Sequence, residues 1–406
     1  MHILLIHQIF LTPLEAGSTR HFELAKYLVK KGNKVTIIGS TVSYLTGKVE
    51  ERYKGKFISR ESIDGVEIVR AWAYPKIHKS YVRRFFSFIS FMLSSIIAGL
   101  KTKKVDVIIA CSPQIFTGIS GFILSKLRKV PFIFEVRDLW PKFAVETGVI
   151  ANSIIIFLAE SLEKFIYKRA NYFIINSPGF FSHLKKFGIK KEKIFLVPNG
   201  VDTKIFKPED RHNRVRKELG LNDDFVVMYS GAHGLANNLE TIIHSARLLV
   251  DYHDIKFLFV GDGKEKSRLM KLAESYDLKN VIFADAQPKE KMPQYCNAAD
   301  VCIAILKKLK SFTTTYPNKI FDYMACGRPT ILAIDGVARK VIEKAEAGEF
   351  VEPDDQEQLA QKVLKFYNNP ELIKQYGINA RKYAEEHFDR EKIAENLNNV
   401  LNKVLK

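Results

Sequence analysis

At 406 residues the chain is longer than one hydrophobic core usually organises, so two domains of about two hundred residues each are expected. Its four cysteines, Cys111, Cys296, Cys302 and Cys326, lack CxxC spacing, which argues against a zinc ribbon or disulfide framework and fits a reducing, cytoplasmic setting. The net charge of +18 belongs to one half: residues 1–200 hold 31 Lys and Arg against 14 Asp and Glu, and the remainder 32 against 31. Nucleic acid, an anionic membrane or a phosphorylated substrate would each explain that surplus. The bases are not interleaved with aromatics in an RNA-binding signature, which argues against nucleic acid.

Taken in chain order, apolar β-rich runs alternate with helical patterns, the sequence form of parallel sheets with crossover helices. The opening "MHILLIHQIF" lacks a basic leader and soon meets Pro13 and Gly17, so it reads as a buried first strand over 3–6 rather than a signal peptide. Gly17 and Ser18 then precede a helix that ends near Gly32; glycine there lets backbone approach a diphosphate or sugar closely. Further strands are expected at 35–38, 107–110, 132–135 and 172–176.

Between Arg83-Arg84 and Lys101-Lys103-Lys104 lies "FFSFISFMLSSIIAGL", with Ser87, Ser90 and Ser94 along one helix face. It falls short of the ~20 residues of a spanning helix. Two readings stand: a core helix of an α/β domain, or an interfacial helix in the headgroup region of a membrane. The apolar stretch 150–166, followed by Lys168-Arg169, would extend the same surface. "FEVRDLWPKF" places Glu135, Arg137 and Asp138 just past a strand, where a carboxylate can orient a hydroxyl nucleophile and an arginine an anion. The competing reading is a structural Arg-Asp pair over Trp140.

After "VPNGVDTKIFKP" (197–208) the pattern restarts, with strands expected at 226–229, 256–260, 281–283, 301–305 and 330–333. Gly231 and Gly234 in "MYSGAHGLANN" and Gly261 in "VGDG" follow strands. No loop matches GxxxxGK[ST] or GxGxxG, and neither a metal-spaced cluster nor a G-x-S-x-G elbow is present. In "TTTYPNKIFDYMACGRPTIL" (313–332) Thr315 is expected to cap a helix, with Pro317 early in it, Gly327 closing it and Pro329 stopping it. Lys319 and Asp322 then share a face near its anion-attracting amino end; an ordinary solvated pair is the alternative. A last helix with apolar Ile393, Leu397, Val400 and Leu401 closes the chain.

Together, the Gly17 loop with "LAKYLVKKGNKVTII", then "VPNGVDTKIFKP", "MPQYCNAADVCIAI", "FDYMACGRPTIL" and "EAGEFVEPDDQEQLAQKV" resemble the retaining glycosyltransferases of the GT-B fold, family 4 type. The resemblance implies two doubly wound Rossmann-like α/β domains facing a central cleft. It implies an acceptor-binding, membrane-associated domain over 1–195, a nucleotide-sugar domain over 196–387, and a helix over 388–406 crossing back to the first domain. It also implies that the helix after Pro317 points at the donor diphosphate, that Asp322 holds the ribose hydroxyls, and that Lys319 compensates the leaving nucleotide in place of a metal. The loop around Ala286 would meet the base, taken as uridine. The donor set so transferred is Gly17, Ser18, Gly231, His233, Gly234, Gly261, Ala286, Thr314, Asn318, Lys319 and Asp322; the catalytic set is Asp138, Arg137 and Lys319.

The departures are specific. Ala232 and Asn237 stand where many relatives carry an Arg and Lys diphosphate clamp, and Thr314 where they carry a glutamate. Arg137-Asp138 replaces the usual first-domain histidine, as in an "RDLWP" group similar to bacterial transferases of amino-sugars and deoxyamino-sugars. The resemblance thus implies transfer from a UDP-sugar, without cofactor or metal, to a polyprenyl-diphosphate-linked acceptor in surface polysaccharide assembly, at the cytoplasmic face of the inner membrane. A nucleotide-sugar epimerase of this architecture and a membrane scaffold without turnover are the alternatives.

Overall fold

The computed structural model describes every residue except 14, 16, 18, 44, 45 and 76–79, and the side chain of Tyr81. It divides into two compact units. The first comprises Met1–Thr12, Thr19–Pro198 and Ile393–Lys406; the second comprises Asn199–Lys392 and takes in Pro13 and Gly17.

The first unit is built on eight strands: β1 His2–Ile6, β2 Lys34–Ser40, β3 Ile58–Ile63, β4 Val66–Ala71, β5 Val107–Cys111, β6 Phe132–Val136, β7 Tyr172–Ile175 and β8 Ile194–Leu196, in the order β3-β4-β2-β1-β5-β6-β7-β8. All neighbours run parallel except the antiparallel β3–β4 edge. Helices cover both faces, so central strands such as β5 are buried at every position and read as unbroken apolar runs. The chain reverses direction of winding between β1 and β5. Ligands in such sheets sit outside the carboxyl ends at that point.

The second unit holds β9 Phe225–Ser230, β10 Ile255–Val260, β11 Val281–Ala284, β12 Val301–Ile305, β13 Thr330–Ala333 and β14 Gly348–Phe350, all parallel, in the order β11-β10-β9-β12-β13-β14. Its switch point falls between β9 and β12. The helix Arg390–Leu405 buries Ile393, Leu397, Val400 and Leu401 in one cluster with Ile3, Val35, Ile109 and Ile174 of the first unit.

The helix Tyr81–Leu100 hides its polar stripe. Gln8 Nε2 donates to the Ser87 carbonyl and hydroxyl (3.4 Å each), the Tyr74 N–H to Ser90 Oγ (2.8 Å), Ser94 Oγ to the Trp72 carbonyl (2.6 Å), and Ser95 Oγ meets Ser120 Oγ at 2.8 Å. Val82, Phe85, Phe86, Leu93, Ile97 and Leu100 are left 40–64% exposed. On the helix Ser153–Arg169, Ile154, Ile155, Phe157 and Leu158 are 52–69% exposed. Residues 85–100 keep part of each reading: the serines dock against carbonyls and hydroxyls beneath, Phe91 and Ala98 join the core of the first unit, and Phe85, Phe86, Leu93, Ile97 and Leu100 look out.

Candidate active site in two halves

In the second unit the site forms where β9, β10 and β11 end. Tyr323 Oη accepts the Ser230 N–H at 2.9 Å, tying the helix Asn318–Ala325 to the end of β9. Gly231 has φ +134°, a backbone conformation that favours glycine, and a Cβ there would sit 3.0 Å from Lys319 Nζ. A Cβ on Gly261 would overlap the Gly231 carbonyl, and one on Gly263 the His233 carbonyl. The loops after β9 and β10 are thus pressed backbone against backbone, which is what the "VGDG" motif provides.

Lys319 lies in the first turn of its helix with Nζ 3.7 Å above the centre of the Tyr229 ring. Among the described residues no carboxylate stands within 4 Å of that nitrogen. Burial lowers its pKa to about 7. No side chain caps this helix. Thr315 is not its cap: it ends the preceding 3₁₀ turn Lys310–Thr314, its hydroxyl bonded to the Phe312 carbonyl (2.9 Å), and Pro317 is the residue just before the first helical one. An ammonium without a counter-ion beside uncapped backbone N–H groups is an arrangement for an anion.

Asp322 carries the Lys289 ammonium at 2.5 Å, and that nitrogen also lies 4.4 Å over the Phe206 ring. Lys289 is a site residue the sequence did not announce. Lys266, at 2.7 Å from Asp285, is a second, at the carboxyl end of β11 beside the half-buried Ala286. His233 is wholly buried between the rings of Tyr229, Phe259 and Phe283, which lowers its pKa to about 4 and keeps it neutral; neither ring nitrogen has a partner among the described residues. Asn237 donates to the Ala232 carbonyl (3.0 Å) and stiffens the loop where a cationic clamp was absent. Gly234 opens the 3₁₀ turn Leu235–Asn237, Asn318 starts the Lys319 helix, and the Thr314 hydroxyl returns to the Ser311 carbonyl (2.6 Å). Gly17 is exposed with φ +135°, while Ser18 lies outside the described residues.

In the first unit the ends of β1, β5 and β6 bring together groups far apart in sequence. Arg137 Nη1 donates to His7 Nε2 at 2.9 Å, so His7 is neutral with its proton on Nδ1. The His7 ring lies 4.4 Å from that of His21, whose Nε2 is 2.6 Å from Glu135 Oε2; Arg20 takes Glu135 Oε1 at 3.1 Å. Burial, His21 and Arg137 hold His7 well below the usual histidine range, and burial brings His21 to about 4. Burial alone would raise Glu135, but His21 and the Arg20 guanidinium outweigh it and keep the carboxylate ionised.

Cys111 Sγ is 3.0 Å from the same Glu135 oxygen. His21, Cys111 and Glu135 thus have metal-ligand types within 4.8 Å of one another, yet they are engaged with each other and flanked by the Arg20 cation. Glu135 is therefore buried and engaged by Arg20, His21 and Cys111. Asp138 differs. Its backbone N–H and that of Arg137 both rest on Ser112 Oγ (3.3 and 2.7 Å), its carboxylate makes no ion pair with Arg137, and burial raises its pKa to about 6. The reading as a structural Arg-Asp pair is corrected on this geometry: Arg137 is turned to His7.

Comparison with known proteins follows the two units. Residues 17–205 match the family model described as Glycosyltransferase Family 4, and residues 211–383 the model described as Glycosyl transferases group 1. The chain is a group 1 glycosyltransferase. It is similar to the Escherichia coli K12 protein named putative colanic acid biosynthesis glycosyl transferase WcaI, 23% identical over 389 residues, 91% of this chain and 92% of that one. Among solved structures it resembles sucrose-phosphate synthase from Thermosynechococcus elongatus (TM-score 0.81, 20% identity, 99% and 98% of the two chains) and Anabaena HepE in complex with UDP-glucose (TM-score 0.74, 17% identity, 99% and 100%). These neighbours share the GT-B fold. This glycosyltransferase has glycine-closed loops and the Lys319 helix in its second unit, and an Arg137-His7-His21-Glu135 chain in its first.

Proposed function

We propose that the protein is a retaining, metal-independent transferase that moves a sugar, an N-acetylated amino or deoxyamino hexose, from a UDP-sugar to a polyprenyl-diphosphate-linked saccharide in bacterial surface polysaccharide assembly. The observation that carries this reading is Lys319, a cation with no carboxylate beside it, in the first turn of an uncapped helix at the carboxyl edge of a nucleotide-type sheet. It neutralises the diphosphate as the sugar bond breaks, the charge-stabilising work a divalent ion does elsewhere. The UDP-glucose complex of a structural neighbour and the polysaccharide role in the name of the E. coli relative support donor and pathway class.

Gly231, His233, Gly234, Gly261, Ala286 and the Lys319 helix make up the donor side, with Asp322 held by Lys289 at the ribose. Asp138, whose burial-raised pKa of about 6 suits a group that takes a proton near neutrality, orients the acceptor hydroxyl. Arg137, fixed by His7, takes the acceptor's anionic end. The apolar faces of Tyr81–Leu100 and Ser153–Arg169, with Arg83, Arg84, Lys101, Lys103, Lys104, Lys168 and Arg169 at their ends, support peripheral attachment to an anionic, cytoplasmic membrane surface where a lipid-borne acceptor is found.

Lys319→Ala is expected to lower kcat about 10²- to 10³-fold with the fold retained; near-normal turnover removes Lys319 from the mechanism. The missing Arg and Lys clamp, with Ala232 and Asn237 in its place, favours a second reading: a UDP-binding scaffold without turnover. Calorimetric UDP binding together with no transfer to any lipid-linked acceptor would select it.

A further inference from the structure

At the carboxyl end of β4 the first unit has a hollow of about 410 Å³ that no step above uses, lined chiefly by Tyr53, Lys54, Lys56, Phe57 and Trp72. We propose that it is a saccharide subsite for a pyranose bearing a negatively charged substituent, further along the acceptor than the reacting sugar. The proposal rests on the reading of the protein as a transferase to a saccharide acceptor.

Three observations carry it. The Phe57 and Trp72 rings lie 6.4 Å apart and 24° from parallel, and Phe57 is 48% exposed, so a broad aromatic surface faces solvent. It is rigidly mounted: the Trp72 N–H donates to the Phe57 carbonyl (3.0 Å), Ser94 Oγ donates to the Trp72 carbonyl (2.6 Å), and the buried Tyr53 beneath is held by Glu61 (2.8 Å) with the Arg52 and Arg70 guanidinium groups against its ring. Among the described residues nothing accepts a hydrogen bond from the Trp72 indole N–H, which leaves a donor beside an apolar plane. A pyranose needs that pairing: its C–H face stacks on aromatic carbon and its hydroxyls bond a nearby donor.

The charge specifies the substituent. Lys54 and Lys56 stand exposed on either side of Gly55, whose Cβ position opens onto free space. Lys56 is bonded to the neutral Arg52 carbonyl (3.1 Å), and Lys54 has an exposed partner in Glu51 (2.5 Å) that a ligand carboxylate or phosphate can displace. Placement agrees. β4 runs parallel to β2, and β2 to β1, so the hollow opens at the same sheet edge as His7, Ser112 and Asp138. It stands four strand spacings from β6, about 19 Å.

Tryptophan fluorescence tests the subsite in the full chain, which holds two tryptophans, Trp72 and Trp140. A glucuronate-containing tetrasaccharide is expected to give a saturable change that Trp72→Phe abolishes. Phe57→Ala should weaken it about tenfold, and the Lys54→Ala/Lys56→Ala pair should reduce it to the level of a neutral cellotetraose. Melting temperature and UDP affinity should stay as in the parent. No saturable change with the anionic probe at millimolar concentration, an unaltered response in Phe57→Ala, or a change produced only by anionic vesicles without glycan would overturn the proposal, the last making the hollow an aromatic rim at a bilayer. Saccharide binding without sugar transfer would uphold the subsite and sink the transferase reading instead.

Discussion

Lys319 and Asp138 have pKa values moved toward each other from opposite extremes by the same cause, burial. Lys319 loses its proton near pH 7 and Asp138 near pH 6. In the proposed mechanism the donor site needs the ammonium and the acceptor site the carboxylate, so kcat/KM should rise through about pH 6 and fall through about pH 7, with Asp138→Asn removing the ascending limb. Stability carries a matching sign. Between about pH 7 and the unperturbed lysine value the unfolded chain holds a proton that the folded chain has released, so stability rises with pH across that window. Lys319→Met should lose that part of the slope when melting temperatures are compared from pH 7 to 10.

In the proposed reaction His7 acts through Arg137. His7→Ala should lower kcat/KM by about tenfold or more while His7→Gln, which keeps an acceptor for the guanidinium, recovers much of it. Equal loss in both variants would rule out this role. That Lys319 and Asp322 share one helix was legible because one motif carries both, but their separate partners, Tyr229 and Lys289, were not. Glu135 was named in the sequence but its partners His7 and His21 were not, since 114 residues separate His21 from Glu135 and only the folding of the first helix against β5 and β6 joins them.

At the scale of elements, the helix Tyr81–Leu100 reverses the usual arrangement of a surface helix. Ser87, Ser94 and Ser95 are buried while Phe85 and Phe86 are exposed, an arrangement that an apolar outer medium would favour. Anionic vesicles should carry the protein upward in a flotation gradient, high salt should weaken this, and Phe85→Glu/Phe86→Glu should abolish it with turnover on a soluble acceptor retained. The sequence showed the apolar run but not its facing, because both sides of the stripe are compatible with helical spacing. β5 and β12 were readable since every position is apolar. β3 and β4 were not, because Arg60, Glu61, Glu67 and Arg70 interrupt the pattern at an edge where such charges blunt pairing. Asn297, Arg328 and the Glu209 backbone likewise form a polar clasp whose members lie up to 119 residues apart.

For the molecule as a whole, two alternating α/β patterns around a Pro-Asn-Gly connection sufficed to foresee two Rossmann-like units, because binary pattern and element order decide this class of fold. The division itself falls at Pro198 and Asn199, and the return at Ile393. Leu401, fully buried among β-sheet residues of the first unit, should cost about 2–5 kcal/mol when replaced by alanine. Urea unfolding would show the loss in the transition of the first unit alone, with the second unit's midpoint unchanged.

That closing helix also orders events during synthesis. Ile3 and Val35 leave the ribosome early, yet the side chains that seal them against water are translated only after all of the second unit. The amino-terminal lobe therefore waits, incomplete and with part of its core open, while its neighbour in the chain is free to mature first; a chaperone that recognises apolar surface would meet this protein at its beginning rather than its end.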